Sequence, residues 1–315
     1  MRLVSSPSPL LELPGAVEAD GVDAGVAAHY GDPFREQKML LAGEGFVDLS
    51  HRGVVRVSGP DRLTWLHSLT TQHLLALQPH NSITTLILSP HGHVEHAMSG
   101  YDDGEALWLH VEPHAATPLV AWLQSMRFLM QVEVNDDRPG WAAVARSESA
   151  VEFVRRSELA DLPAVTGARP CGVWALEALR IARGEPRHGL DTDHKTIPNE
   201  VGWIGSAVHL DKGCYRGQET VARVHTLGRP PRRLVLLHLD GSVDQLPVSG
   251  DVVETDGREV GQVGSAARHY ELGPIALAVV KRNVDPAAML LAGGVPAAQE
   301  VVVDPEVGLH VRPRL

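Results

Sequence analysis

The sequence predicts an α+β protein with an all-β carboxy-terminal domain. Three observations lead there. Up to about residue 230, short strand-like runs alternate with apolar residues at helical spacing. Within the first 140 residues the order is strand, helix, strand, strand, helix, strand, which is that of a split βαβ, ferredoxin-like unit. Beyond residue 230 only short strand runs remain. At 315 residues the chain is too long for one ordinary core, and the expected divisions are 1–140, 141–230 and 231–315.

In chain order, the Pro-, Ser- and Gly-bearing segment up to about residue 25 reads as loop. Val54, Val55 and Val57 form a short strand, Gly59-Pro60 turns the chain, and Pro60 suits the first turn of a helix. Leu63, Leu66, Leu69, His73 or Leu74, and Leu77 then recur at helical spacing. Strand runs at 83–88 and 106–111 follow, with a turn in "YDDGE" between them. A second amphipathic helix passes through Leu119, Trp122, Leu123, Met126 and Leu129, ahead of a strand at 132–134. Another helix begins near Trp174, with Trp174, Ala178, Ile181 and Ala182 on one face, and Gly184-Glu185-Pro186 ends it. After residue 230, "RRLVLLHLDG", "GDVVETDGREVGQVGSA" and "PIALAVVKR" are strand runs. The middle one is a hairpin about Asp256-Gly257, and a small barrel is the expected arrangement.

Composition excludes several classes. At 43% hydrophobic and 21% charged residues the chain is globular rather than disordered. Its 28 basic and 39 acidic residues give a net charge of −11, which argues against nucleic acid as a stable partner. No apolar run approaches the roughly 20 residues that span a bilayer, so no membrane partner is expected. The first twenty residues lack a basic start followed by an apolar core, and two cysteines cannot build a secreted disulfide framework. A cytoplasmic protein is expected. The sequence contains no GxxxxGK[ST] loop, no GxSxG elbow and no strand-to-helix GxGxxG.

Four places could carry chemistry. In "HGHVEH", residues 91, 93 and 95 would share one face of a strand, but the 17 scattered histidines and the preceding "LSP" favour a turn, and no metal is assigned. In "KGCYRGQE", Lys212 stands two residues from Cys214, and a nearby ammonium favours a thiolate. Gly213 and Gly217 permit positive φ, while Gln218 and Glu219 could orient the loop. The structural alternative is a tight turn before a strand at 220–224, with Cys214 a small buried filler. Trp174 reads by periodicity as core packing on a helix face, or as a flat surface for a heterocycle. Trp203 offers a second such surface, and Glu200, in "IPNE", is either a solvated charge or an acceptor for that heterocycle. Arg229, Arg232 and Arg233 could fork onto a carboxylate, or could simply solvate a turn.

The string "KGCYRGQETVAR" resembles the signature of the YgfZ family, folate-binding proteins linked to iron–sulfur cluster maintenance and related to the T-protein, the aminomethyltransferase of glycine cleavage. "FVDLSHRGVVRVSGPDRLTWLHSLTTQ" resembles the amino-terminal pattern of both groups, and "RIARGEPRHG" with "IPNEVGW" resembles their helix-turn segment. The resemblance covers about residues 28 to 285. It implies a GcvT/YgfZ-like ring of three domains, two ferredoxin-like and one C-terminal β-barrel, around a cavity for tetrahydrofolate or a derivative. It implies that Trp174 and Glu200 face the folate, that Arg229, or its neighbour Arg232 or Arg233, meets its tail, and that Tyr215, Gln218 and Glu219 shape the site. Cys214, with Lys212, would be the reactive residue of an accessory protein serving iron–sulfur client or assembly proteins. T-protein-like enzymes carry paired aspartates where this chain reads Glu95-His96, which weighs against the alternative of a folate-dependent aminomethyltransferase or other one-carbon transferase. A third alternative is a scaffold whose acidic surface docks a client, with folate only stabilising the fold.

Overall fold

A computed structural model describes residues 7–147 and 150–310, and the chain divides into two compact units. The first comprises Met1–Ser68, His73–Thr84 and Met98–Glu177; the second comprises Leu69–Gln72, Thr85–Ala97 and Ala178–Leu315.

The first unit begins more ordered than its composition suggests. A 3-10 turn at Pro9–Glu12 buries Leu10 in a cluster with Phe46, Ala142, Val144, Leu159 and Leu162. Strands β1 (Val17–Glu18) and β2 (Ala27–His29) then pair antiparallel. The first six residues of the expected loop lie outside the described ones. Helix α1 (Pro33–Leu41) starts where Asp32 accepts the Arg35 N–H at 3.0 Å and Pro33 presets the first turn. Strands β3 (Gly45–Asp48) and β4 (Gly53–Ser58) precede α2 (Arg62–Leu69).

Helix α2 stops eight residues short of Leu77. Thr71 leaves it because its hydroxyl donates to the Ala207 carbonyl at 2.7 Å and accepts the Leu86 N–H at 2.9 Å. Those partners are remote in sequence, and no local pattern announces them.

Next come β5 (Ser82–Leu88), β6 (Val94–Asp102), β7 (Ala106–Val111), α3 (Ala116–Ser125) and β8 (Glu133–Asp136). The five strands of this sheet lie in the order β5-β6-β7-β4-β8. Strand β6 is one more than the sequence suggested. Helix α3 also ends early: Met126 gives its carbonyl to the Trp65 indole N–H at 3.2 Å, and Phe128, at φ +44°, stands almost fully exposed. A second sheet holds β9 (Trp141–Ala145), β10 (Val151–Arg155) and β11 (Arg169–Cys171) in the order β10-β9-β3-β11, with β11 parallel to β3. Helices α4 (Leu162–Thr166) and α5 (Val173–Ala182) flank β11, and the division between the units falls within α5.

In the second unit, α6 (Gln218–Leu227) leads into β12 (Arg232–Leu239), β13 (Val252–Thr255), β14 (Arg258–His269), β15 (Gly273–Lys281), β16 (Leu290–Ala292) and β17 (Val295–Val301). These six strands close into a barrel, β12-β15-β14-β13-β16-β17, sealed where β12 pairs with β17. The two-residue period sorts β12. Val235, Leu237 and Leu239 fill the barrel with Val253, Ala276 and Ala278, while Leu234 and Leu236 pack outward on Ile181, Trp203 and Val221. Asp256 and Gly257 take φ +49° and +70°, the conformation a tight hairpin turn demands. The α+β architecture with a closed C-terminal barrel is therefore as the sequence suggests. Among the described residues no helix is long and apolar enough to cross a membrane.

Candidate functional site

The "KGCYRGQE" segment precedes a helix and not a strand: residues 218–227 form α6. Gly217 sets this up at φ +81°, with its Cα so close to the Ser89–Gly92 turn that a Cβ would lie 2.5 Å from the Ser89 carbonyl oxygen. Gly213, by contrast, has no positive φ, and a Cβ there meets nothing within 4 Å. Glu219 sits exposed in the first turn of α6, where the helix dipole favours a negative charge, and Gln218 opens that turn by donating its N–H to the Tyr215 carbonyl at 3.2 Å.

The segment alternates between anchor and exposure. Lys212 is buried. Its Nζ donates to the Thr70 carbonyl and lies 5.3 Å from the centre of the Tyr215 ring. Burial lowers its pKa from 10.5 to about 8. Tyr215 is buried in the cluster with Leu86, Trp203 and Val221, and burial pushes its hydroxyl up to about 12. Between these two side chains, Cys214 is exposed. Arg216 reaches the Glu95 carboxylate at 3.0 Å. The lysine that the sequence places as an electrostatic neighbour of the thiol is thus a buried group with a carbonyl and a ring for company.

Glu200 lies in a 3-10 turn, Pro198–Glu200, and is almost completely buried. Its carboxylate accepts from Arg232 through Nε at 2.8 Å and Nη2 at 2.9 Å, and from the Ile197 N–H at 3.1 Å. Arg232 forks further onto Asp193 at 2.7 and 3.1 Å. That hydrogen bonding holds the Asp193 carboxyl well below its usual range and raises the Arg232 guanidinium above its own. Any ligand contact at Glu200 is made in company with Arg232. Trp203 is buried in the core near this turn.

The other two arginines part ways. Arg233 is fully buried and points, with the inward residues of β12, toward the barrel interior. Its guanidinium donates to the Val284 carbonyl at 3.0 Å and the Gln299 side-chain oxygen at 2.8 Å, and burial lowers its pKa. Arg229 stays on the surface, paired with Glu306 at 2.9 Å.

Trp174 belongs to the first unit, whereas Glu200, Arg229, Arg233 and the cysteine segment belong to the second. The periodicity reading placed Trp174 in the core. The structure leaves it half exposed, while the other residues of α5 are buried or partly buried. Its indole meets His29 with ring centres 5.2 Å apart.

In "HGHVEH" the strand begins only at Val94, because Gly92, at φ +82°, turns the chain against Thr220. His91 and His93 sit 6.3 Å apart on that turn, and Glu95 is taken by Arg216. His96 is half-buried, and burial lowers its pKa to about 4. No group of three metal-ligating side chains occurs among the described residues. Sequence reasoning missed His29, Glu36, Thr70 and Asp193. Each acts through a partner remote in sequence or, like Asp193, through a side chain from another element.

Comparisons with known proteins agree with this architecture. Residues 232–303, which form the barrel, match the family profile described as the CAF17 C-terminal β-barrel domain. A chloroplastic putative transferase of Arabidopsis thaliana is 26% identical over 73% of this chain, which spans 64% of that protein's length. An aminomethyltransferase of Nostoc is 27% identical over 78% of this chain and 79% of its own. Among solved structures, the glycine cleavage system aminomethyltransferase T from Bartonella henselae superposes with a TM-score of 0.78, covering 95% of this chain and 96% of that one at 18% identity, which speaks for the fold. The barrel is thus of the CAF17 C-terminal type, and the chain is similar over most of its length to aminomethyltransferases and shares the fold of the glycine-cleavage aminomethyltransferase T.

Proposed function

We propose that this protein binds tetrahydrofolate or a derivative and acts as a cytoplasmic accessory factor for iron–sulfur enzymes, with Cys214 as its reactive residue. The observation that carries the folate half is Trp174. Every neighbour on α5 is buried or half-buried, yet the one large aromatic on the helix is left half in water. Leaving an indole exposed forgoes much of its hydrophobic contribution, and a flat ligand that covers it recovers that contribution. The names of the relatives, aminomethyltransferases and a putative transferase, support a one-carbon carrier as that ligand.

Arg229 is the arginine suited to the glutamyl tail. Its partner Glu306 is as exposed as itself, and such surface pairs are worth about 0–1 kcal/mol, so a ligand carboxylate can displace it. Glu200 enters this reading as a buried carboxylate of the second unit, with both oxygens held by Arg232. The Cys214 half is supported by a thiol held outward between buried neighbours, and both cysteines are free, as a reducing compartment requires.

Calorimetry with tetrahydrofolate tests the first half. Saturable binding should weaken several-fold in Trp174→Ala, on the order of 1 kcal/mol for a lost aromatic face. Absence of binding at millimolar folate removes the reading. For the second half, a deletion strain should lose iron–sulfur enzyme activity, and Cys214→Ala should fail to restore it.

Folate-dependent aminomethyl transfer is the second reading, favoured by the relatives' names. Against it stands the place where T-protein-like enzymes pair two aspartates. Here Glu95 is bound by Arg216, and His96 has its pKa lowered to about 4. A lost general acid–base group costs roughly 10²–10⁴ in rate, so transfer from a lipoyl-carried aminomethyl group should be near background. Robust turnover in a reconstituted glycine-cleavage assay would make the transferase reading the better one.

A further inference from the structure

The exposed indole of Trp174 has a partner that no sequence motif marks. His29, at the end of β2, meets it with ring centres 5.2 Å apart and planes at 44°. The two rings come from distant parts of the chain, and one buried carboxylate fixes both. Glu36 on α1 accepts the Tyr30 N–H at 2.7 Å with one oxygen and the Gly172 N–H at 2.8 Å with the other. Tyr30 directly follows His29, and Gly172 stands two residues before Trp174. The backbones approach so closely there that a Cβ on Gly172 would lie 2.0 Å from the Ala28 carbonyl oxygen. The neighbouring ionisable groups stay neutral: burial, with the Glu36 charge adding to it, pushes the Cys171 thiol up to about 12, and burial likewise raises Tyr30.

The ring of His29 is oriented as well as placed. Its Nδ1 accepts the Gly31 N–H at 3.0 Å, so in the neutral imidazole the proton resides on Nε2. That Nε2–H has no protein acceptor among the described residues, and His29 is only half-buried. A stacking face and a free donor therefore stand side by side on a support braced by a charge-assisted clamp.

We propose that His29 and Trp174 form one recognition element for a flat heteroaromatic ring carrying a hydrogen-bond acceptor on its edge. The indole supplies the face, and the His29 Nε2–H donates to the edge. Glu36 is the positioning residue that holds both backbones. The proposal rests on the folate reading for the identity of the ring, a pteridine, and on the geometry for its chemistry.

Titration of the full chain with 5-formyltetrahydrofolate and with lumazine, followed by tryptophan fluorescence and calorimetry, tests it. His29→Phe keeps a ring against Trp174 and removes the donor, and should weaken binding about five- to tenfold, the loss of one hydrogen bond. Trp174→Ala should weaken it comparably. Glu36→Gln, which turns a donor toward one of the two N–H groups, should weaken binding and shift the Trp174 emission. If that variant does not fold, the His29→Phe comparison decides alone. Full affinity in His29→Phe beside a weakened Trp174→Ala overturns the element. So does folate binding that ignores both rings, although the folate reading then stands. Lumazine binding that needs His29, without folate binding, supports the element and rejects folate. A wild-type protein that binds neither probe overturns both.

Discussion

Lys212→Met changes the pH dependence of folding in a way that reports where the ammonium sits. In the folded chain the amine is buried and gives up its proton at about 8, against 10.5 in the open chain. At about 1.4 kcal/mol per tenfold change in proton affinity, that difference corresponds to about 3 kcal/mol. By pH 10, where the open-chain amine is still mostly protonated, about 2 kcal/mol of that rise is complete. Between pH 8 and 10.5 the unfolded chain holds more protons than the folded one, so stability rises with pH through that window and is flat with respect to this group below it. The methionine variant lacks the rise. At pH 7 it sheds the cost of a buried charge but leaves the Thr70 carbonyl without its donor, a loss of about 1–2 kcal/mol, so the two proteins should be close in stability. At pH 10 the wild type should be more stable by about 2 kcal/mol. Urea denaturation of both proteins at pH 7, 8, 9 and 10 measures the gap, and titration of Tyr215, common to both, cancels in the difference. A gap that is the same at every pH refutes the argument. The ammonium would then be solvated and free to act on Cys214, as the sequence alone suggested.

Three further outcomes follow from the same geometry. A thiol reagent at pH 7 should label Cys214 at least tenfold faster than Cys171, which is buried and has its pKa pushed up to about 12; equal rates would mean that the β11 region opens readily. Gly217→Ala should cost about 2–3 kcal/mol in denaturation midpoints, from a strained positive φ and a clash with the Ser89 carbonyl, whereas Gly213→Ala should be nearly neutral. Arg232→Ala should cost about 3–5 kcal/mol, because it leaves the buried Glu200 carboxylate unpaired. The Asp193 carboxyl, held low by Arg232, adds stability above its open-chain value of 3.8 that is lost on acidification, so the gap between wild type and this variant should narrow below about pH 4.

What the sequence made legible is what depends on neighbours along the chain. The barrel strands read cleanly because period-two alternation and an Asp-Gly turn are local signals, and β12 sorts its leucines as that alternation requires. Strand β6 went unread because "HVEHAMSGYD" mixes polar and small residues on both faces of a sheet that buries it only in part. "TVARV" looks like a strand, yet it is helical because Gly217 and the Tyr215 carbonyl start a helix two residues earlier, at Gln218. Periodicity grouped Trp174 with Ala178 and Ile181 but could not say that its side chain is left half exposed while Val173 and Ala175 beside it are buried. The clamp at Glu36 spans 136 residues to Gly172, and a single sequence carries no trace of such a pairing.

The cysteine segment is the clearest case of a motif whose residues were legible and whose division of labour was not. The sequence suggested a lysine that ionises the thiol beside it. The structure fixes the loop instead: Lys212 to the Thr70 carbonyl, Tyr215 in the core, Arg216 on Glu95 and Gly217 against the Ser89 turn. Four attachments within six residues hold the backbone on both sides of Cys214, so its exposure is a fixed property of the loop and not a fluctuation. A thiol held this way can meet a large partner without first paying to order the loop, which suits a group that must be reached from outside the molecule. The labelling rate of Cys214 in Lys212→Met separates the two roles. If the lysine is one anchor among four, the rate changes little while the pH dependence of stability disappears. If the lysine is the thiol's electrostatic partner, the rate falls steeply and the pH dependence stays.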